Sequence, residues 1–133
     1  KTPAKLVGLS LLAISVVGVA VCSYIVSRYE RAFEATANGD SYSLVIERFG
    51  KPNVIEYPAK PFLRYAIPSQ AWNTPCAFRV WWEHPVLKGI QAWSVEFNDK
   101  NQVIHTAHWL LHDIYAQHYN PPDRQKATFF AVR

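Results

Sequence analysis

Between Leu6 and Val26 the chain reads "LVGLSLLAISVVGVAVCSYIV", 21 residues without one charge. As a helix rising 1.5 Å per residue, the run covers about 31 Å, the thickness of a bilayer's hydrocarbon core. The run therefore predicts a transmembrane span. Two cheaper readings compete with it. A cleaved signal peptide has a shorter apolar region ending in small residues. "GVA" at 18 to 20 is a passable cleavage site, but the apolar run continues through Val26. A lipoprotein needs a small residue just before the modified cysteine, whereas Val21 precedes Cys22. Cys22 thus reads as an ordinary membrane-buried thiol, apolar enough to need no partner. The chain has no methionine, so residues upstream of Lys1 are expected.

Charge does not orient the span. Lys1 and Lys5 flank it on one side, Arg28 and Arg31 on the other, and the positive-inside rule counts only such basic residues. Cysteine usage is equally silent. Cys76 is the only thiol outside the run, so no disulfide forms within the soluble part and neither redox compartment is excluded. The formal net charge of +4 comes from the two ends. Residues 28–119 carry nine basic and nine acidic side chains. A neutral unit without a basic stripe is a poor nucleic-acid binder, which sets that class of partner aside.

Half of the 133 residues are hydrophobic and 14% aromatic, enough for one modest packed core. Past the apolar run, "SRYERAFEATANGD" keeps helical character, with Tyr29, Phe33 and Ala37 at four-residue spacing and Gly39 placed to stop it. A second helix follows over "YSLVIERF". Ser41 is its N-cap, Val45 and Phe49 lie one turn apart on its buried face, Gly50 suits a left-handed C′ position and Pro52 forbids continuation.

Beyond Pro52 the period changes to two. "AFRVWWE", 77 to 83, sets Phe78, Val80 and Trp82 against Arg79, Trp81 and Glu83. "AWSVEF", 92 to 97, sets Trp93, Val95 and Phe97 against Ser94 and Glu96. Both read as half-buried strands. The turn formers Asn98, Asp99 and Asn101 in "NDKNQ" fold the second of these back on "QVIHTAHWLL".

That hairpin decides how the histidines are read. "HTAHWLLH" holds His105, His108 and His112, with His118 close behind. On a helix the first three share one face and could meet a single zinc ion. On a strand His105 points one way while His108 and His112 point the other, roughly 13 Å apart. The strand is preferred, to at least Trp109, and no metal is expected. A helix over "HWLLHDIYAQHY", with Leu111, Ile114, Tyr115 and His118 on one face, is the alternative. It leaves a metal- or ligand-handling domain built on His105, His108, His112 and His118 as the second functional reading.

The segment "GDSYSLVIERFGKP" resembles the small outer-membrane lipoprotein family typified by BamE. The family carries a glycine, a capping Thr or Ser, a buried valine, a buried leucine, then glycine and proline at the offsets occupied here by Gly39, Ser41, Val45, Phe49, Gly50 and Pro52. Phe49 stands for the leucine. "LRYAI" at 63 to 67 and the hairpin "WSVEFNDKNQVI" look like the family's sheet, and the likeness covers residues 33 to about 110. The departure is the anchor: an uncleaved span replaces the family's lipid and suggests a protein fixed in the inner membrane. The resemblance implies an envelope-facing domain that binds proteins and does no chemistry, and it favours a periplasmic orientation.

The expected architecture is α+β. An N-terminal tail and transmembrane helix occupy 1–27; two short helices packed on a three- to four-stranded antiparallel sheet occupy 28–119; a Pro-initiated tail occupies 120–133. Catalysis would need a nucleophile with a base, or paired carboxylates, and no motif offers either at a recognisable spacing. Strand alternation instead leaves Trp81 on the polar face with Arg79, Glu83 and Glu96. An exposed tryptophan beside an arginine has the chemistry of a protein-interface anchor, unless the loop 84–91 or the tail covers it. The expectation is an accessory or assembly subunit whose partners are the bilayer and envelope proteins, with no cofactor. "ATFFAVR" at the end either docks on the domain or reaches a partner.

Overall fold

The computed structural model of the protein describes residues 3–62, 64 and 76–110, with side chains from Val7 onward. Its longest element, α1, runs unbroken over Pro3–Ala35, about 50 Å of helix. Every residue from Val7 to Val21 is exposed, whereas Ala32 and Phe33 enter the core and Val26 and Tyr29 pack against it. One helix among the described residues is thus long and apolar enough to cross a membrane. The expected separate helix after residue 27 is its C-terminal part. Neither glycine nor proline interrupts residues 19–35, so nothing breaks the ladder where the apolar run meets the domain.

Thr36 donates its hydroxyl to Ala32 O at 2.7 Å, and Gly39, at φ 92°, turns the chain. Asp40 then holds the corner. Its Oδ2 accepts from Ala37 N–H at 3.0 Å and pairs with Arg48 at 2.5 Å, so the amide and the guanidinium hold its carboxyl below the usual carboxylate range. The second helix, α2, spans Tyr42–Phe49, and its N-cap Ser41 accepts from Leu44 N–H. Val45 and Phe49 are buried as their spacing predicts.

Gly50 ends α2 with φ 90° and ψ −167°. The positive φ is as expected, but the left-handed helical conformation is not. This combination lies in the extended region that is essentially reserved for glycine. The cause is visible in its neighbours: the N–H still bonds Ile46 O at 2.7 Å, while the carbonyl accepts from Trp82 Nε1 at 3.0 Å. Arg28 completes the end of α2, donating to Arg48 O at 2.9 Å and Glu47 O at 3.1 Å. A cation there suits the helix dipole, and it locks α1 to α2.

Four strands follow: β1 (Val54–Glu56), β2 (Phe78–Glu83), β3 (Gln91–Phe97) and β4 (Val103–Leu110). They form an antiparallel sheet in the order β1-β2-β3-β4. The expected three to four strands are four among the described residues. "LRYAI" lies outside them apart from Arg64, so its place in the sheet is not described. In the β3–β4 turn, Asn98 Oδ1 accepts from Lys100 N–H and Gln102 N–H at 2.9 Å each, and Asn101 takes φ 58°. These are the roles that asparagine fills in tight turns. The helices cover one sheet face, where Val80, Trp82, Trp93, Val95, Phe97 and Val103 meet Ala32, Phe33, Val45 and Phe49. Phe49 stacks on Trp82 at 4.2 Å.

Candidate interaction face

Alternation along β2 puts Arg79, Trp81 and Glu83 on the sheet face opposite Val80 and Trp82. Register brings their neighbours to them. Arg79 pairs with Glu56 on β1 and with Glu96 on β3, and Glu96 in turn faces His105 on β4. One row across the sheet therefore reads Glu56, Arg79, Glu96, His105. Within it, Arg79 donates to Glu96 Oε1 through Nε at 2.9 Å and Nη2 at 2.5 Å, and its Nη1 lies 3.5 Å from Glu56 Oε1. The other Glu56 oxygen accepts from Trp81 Nε1 at 2.5 Å.

The structure brings the four candidate partner residues together but does not expose them. Trp81 is 0% exposed, and Arg79, Glu83 and Glu96 are all buried. The exposed-anchor expectation is thereby corrected. The cover comes from Phe62, edge-on to Trp81 at 5.7 Å, and from Trp109 at 5.6 Å; Arg64 pairs with Glu83 at 2.6 Å. Among the described residues, the contacts over Trp81 come from the segment after β1 and the end of β4. The tail lies outside the described residues. β2 and β3 are buried on both faces rather than half-buried.

Buried charges are tolerated here because they are paired and hydrogen-bonded. The pairing also fixes register: a one-residue slip of β2 would move Arg79 to the other face, away from both glutamates. Glu56 is the residue that sequence reading missed. Its strand has only three residues, too few to show alternation. Trp109 adds a second polar tie, donating Nε1 to Ser94 Oγ at 2.8 Å. Cys76 sits beside this row, and burial together with Glu96 pushes its thiol up to about 11. It stays protonated at neutral pH and is a poor nucleophile.

The histidines separate as the strand reading requires. His105 lies opposite Glu96, while His108 lies opposite Trp93 and stacks on that indole at 5.1 Å. The two rings occupy opposite faces and cannot share a metal. Gln91 Nε2 is 3.0 Å from His108 Nε2. His112 and His118 lie outside the described residues. Among the described residues no three His, Cys, Asp or Glu side chains converge on a possible ion.

The fold and this face define an α+β unit built on the end of a long apolar helix. No protein-family model, curated protein or solved structure matches the chain.

Proposed function

We propose that the chain is a single-pass protein of the bacterial inner membrane whose α+β domain faces the periplasm. There it binds other envelope proteins as an accessory or assembly subunit and catalyses nothing itself. The observation that carries this reading is the continuity of α1, which is apolar and exposed over its first half and core-forming in its last turns. A helix so built holds its domain directly at a membrane surface. Orientation rests on the BamE-like motif, and the local geometry is in keeping with it: Ser41 caps, Val45 and Phe49 are buried, and Gly39 and Gly50 take positive φ. The pairing of Arg79 with Glu56 and Glu96 commits these charges to holding the sheet, so the reading rests on the anchor and the motif and not on this row.

Crosslinking in cells followed by purification of the full chain from native membranes tests the partner. Recovery of a defined envelope protein is expected; recovery of the chain alone contradicts a subunit role. A reporter fused after Arg133 should be active only in the periplasm, and cytoplasmic activity contradicts the orientation.

A further inference from the structure

The loop joining β2 to β3, "HPVLKGI" at 84 to 90, presents Val86, Leu87 and Ile90 at 71%, 44% and 42% exposure. Three large apolar side chains on one short turn ask for an apolar partner. The loop is nonetheless well ordered internally. His84 is buried, and the chain wraps around its ring: Nδ1 accepts from Val86 N–H at 3.1 Å and Leu87 N–H at 2.9 Å. His84 N–H donates to Gln91 O at 3.0 Å, and the amides of Ile90 and Gln91 donate to Leu87 O. Pro85 has no amide to satisfy. The amides of Val86, Leu87 and Ile90 are thus bonded within the loop, which suits the headgroup–acyl boundary; irregular backbone exposed to lipid does not occur deeper, in the hydrocarbon core.

Its position narrows the choice of partner. His84 Nε2 lies 3.9 Å from Cys22 Sγ, and Cys22 is four residues inside the end of the charge-free run, about 6 Å along the helix axis. Arg28, the first charge beyond the run, lies about 9 Å past Cys22. The loop therefore sits level with the last turns of the apolar helix. Leu110, exposed and paired with Gln91, and Tyr24, also exposed, extend the same apolar end of the molecule.

We propose that loop 84–90 inserts into the bilayer beside α1, in the leaflet from which the domain emerges. Val86, Leu87 and Ile90 enter the acyl boundary while Lys88 reaches back to the headgroups, as lysine stems do at interfaces. Tyr24 is placed for the interfacial aromatic belt. The domain then has two membrane attachments, helix and loop, and these fix its tilt. The inference rests on the proposed span, since lipid surrounds the loop only if α1 crosses the membrane.

The test uses the full chain with a photoreactive benzoylphenylalanine at position 86, 12 or 100, reconstituted in vesicles of phosphatidylcholine and phosphatidylglycerol. Position 12 probes the span, and position 100 lies in the β3–β4 turn at the far end of the sheet. Phospholipid adducts are expected at 86 with a yield approaching that at 12, and are lost at 100. Adducts at 12 without adducts at 86 overturn the loop insertion and leave the anchor standing. Absence at both positions overturns the anchor and the insertion with it. Crosslinks from 86 to a second copy of the chain, in place of lipid, overturn the insertion in favour of self-association. Val86→Asp combined with Leu87→Asp provides a second reading: the chain should stay in the membrane with its fold unchanged, while the lipid adduct from a probe at position 90 is lost. An unchanged adduct there contradicts the insertion.

Discussion

Cys22 Sγ and His84 Nε2 lie 3.9 Å apart across 62 residues of sequence. The contact joins the apolar part of α1 to the β2–β3 loop. Together with Arg28, which donates to the carbonyls ending α2, it shows that the domain is built onto the helix rather than hung from it by a linker. A junction of this kind fixes the position of each element relative to the apolar run.

Gly50 holds a backbone conformation reserved for glycine, and a Cβ there would come within 3.3 Å of the Arg28 guanidinium. Gly50→Ala should therefore destabilise the domain by about 1–3 kcal/mol. Gly39→Ala should cost less, because its Cβ would meet nothing within 4 Å, although its positive φ still carries strain. Denaturant midpoints of the full chain in detergent decide the order. A neutral Gly50→Ala would show that α2 does not end as described.

The corner at Asp40 and Ser41 should respond to pH. Ser41→Ala removes the cap on Leu44 N–H and should cost about 1 kcal/mol. Asp40 has a folded pKa lowered from 3.8 by the Ala37 amide and Arg48. Its contribution is complete above that unfolded value and disappears as pH falls through the lowered folded value. Asp40→Asn should thus weaken the domain at neutral pH and be equivalent to wild type in strong acid. A gap that stays constant across the range contradicts the pairing.

Trp81 and Arg79 should behave as core. Trp81→Ala is expected to cost about 3–5 kcal/mol. Arg79→Ala should cost a similar amount, about 3–5 kcal/mol, because it leaves the buried Glu56 and Glu96 uncompensated. Partner recovery per folded molecule should not change in either variant. If Trp81→Ala keeps wild-type stability and loses the partner, the tryptophan is an interface anchor after all.

Zinc content should be insensitive to the strand histidines. His105→Ala and His108→Ala place their losses on opposite faces, so their effects on stability should add. The His108 variant should be the more costly of the two, since that ring stacks on Trp93. Stoichiometric zinc in the purified chain, lost in both variants, would contradict the described strand and revive a ligand-handling function.

Much of this architecture was legible because period and punctuation agreed. Ser41, Val45 and Phe49 announce α2 through cap and spacing, and Asn98 and Asn101 announce the turn that sends β4 back along β3. Two misreadings have physical causes. Gly39 marks a stop, but no comparable signal marks a start near residue 28, and the continuity of α1 depends on the absence of a breaker. Among the described residues, Trp81 is packed by Phe62 and Trp109, which are 19 and 28 positions away in sequence. Alternation assigns a side chain to a face and is blind to what lies over that face. Glu56 escaped notice because three residues cannot display a period.

The most direct test of the membrane reading is alkaline carbonate extraction of membranes containing the full chain, followed by an intact mass of the retained protein. The chain should remain in the bilayer fraction with residues 6–26 still attached. Val17→Arg, which costs about 2.5–3.5 kcal/mol of insertion free energy near mid-span, should move to the supernatant or be degraded. A wild-type chain released by carbonate, or a mass showing that the apolar run has been removed, would contradict the anchored reading.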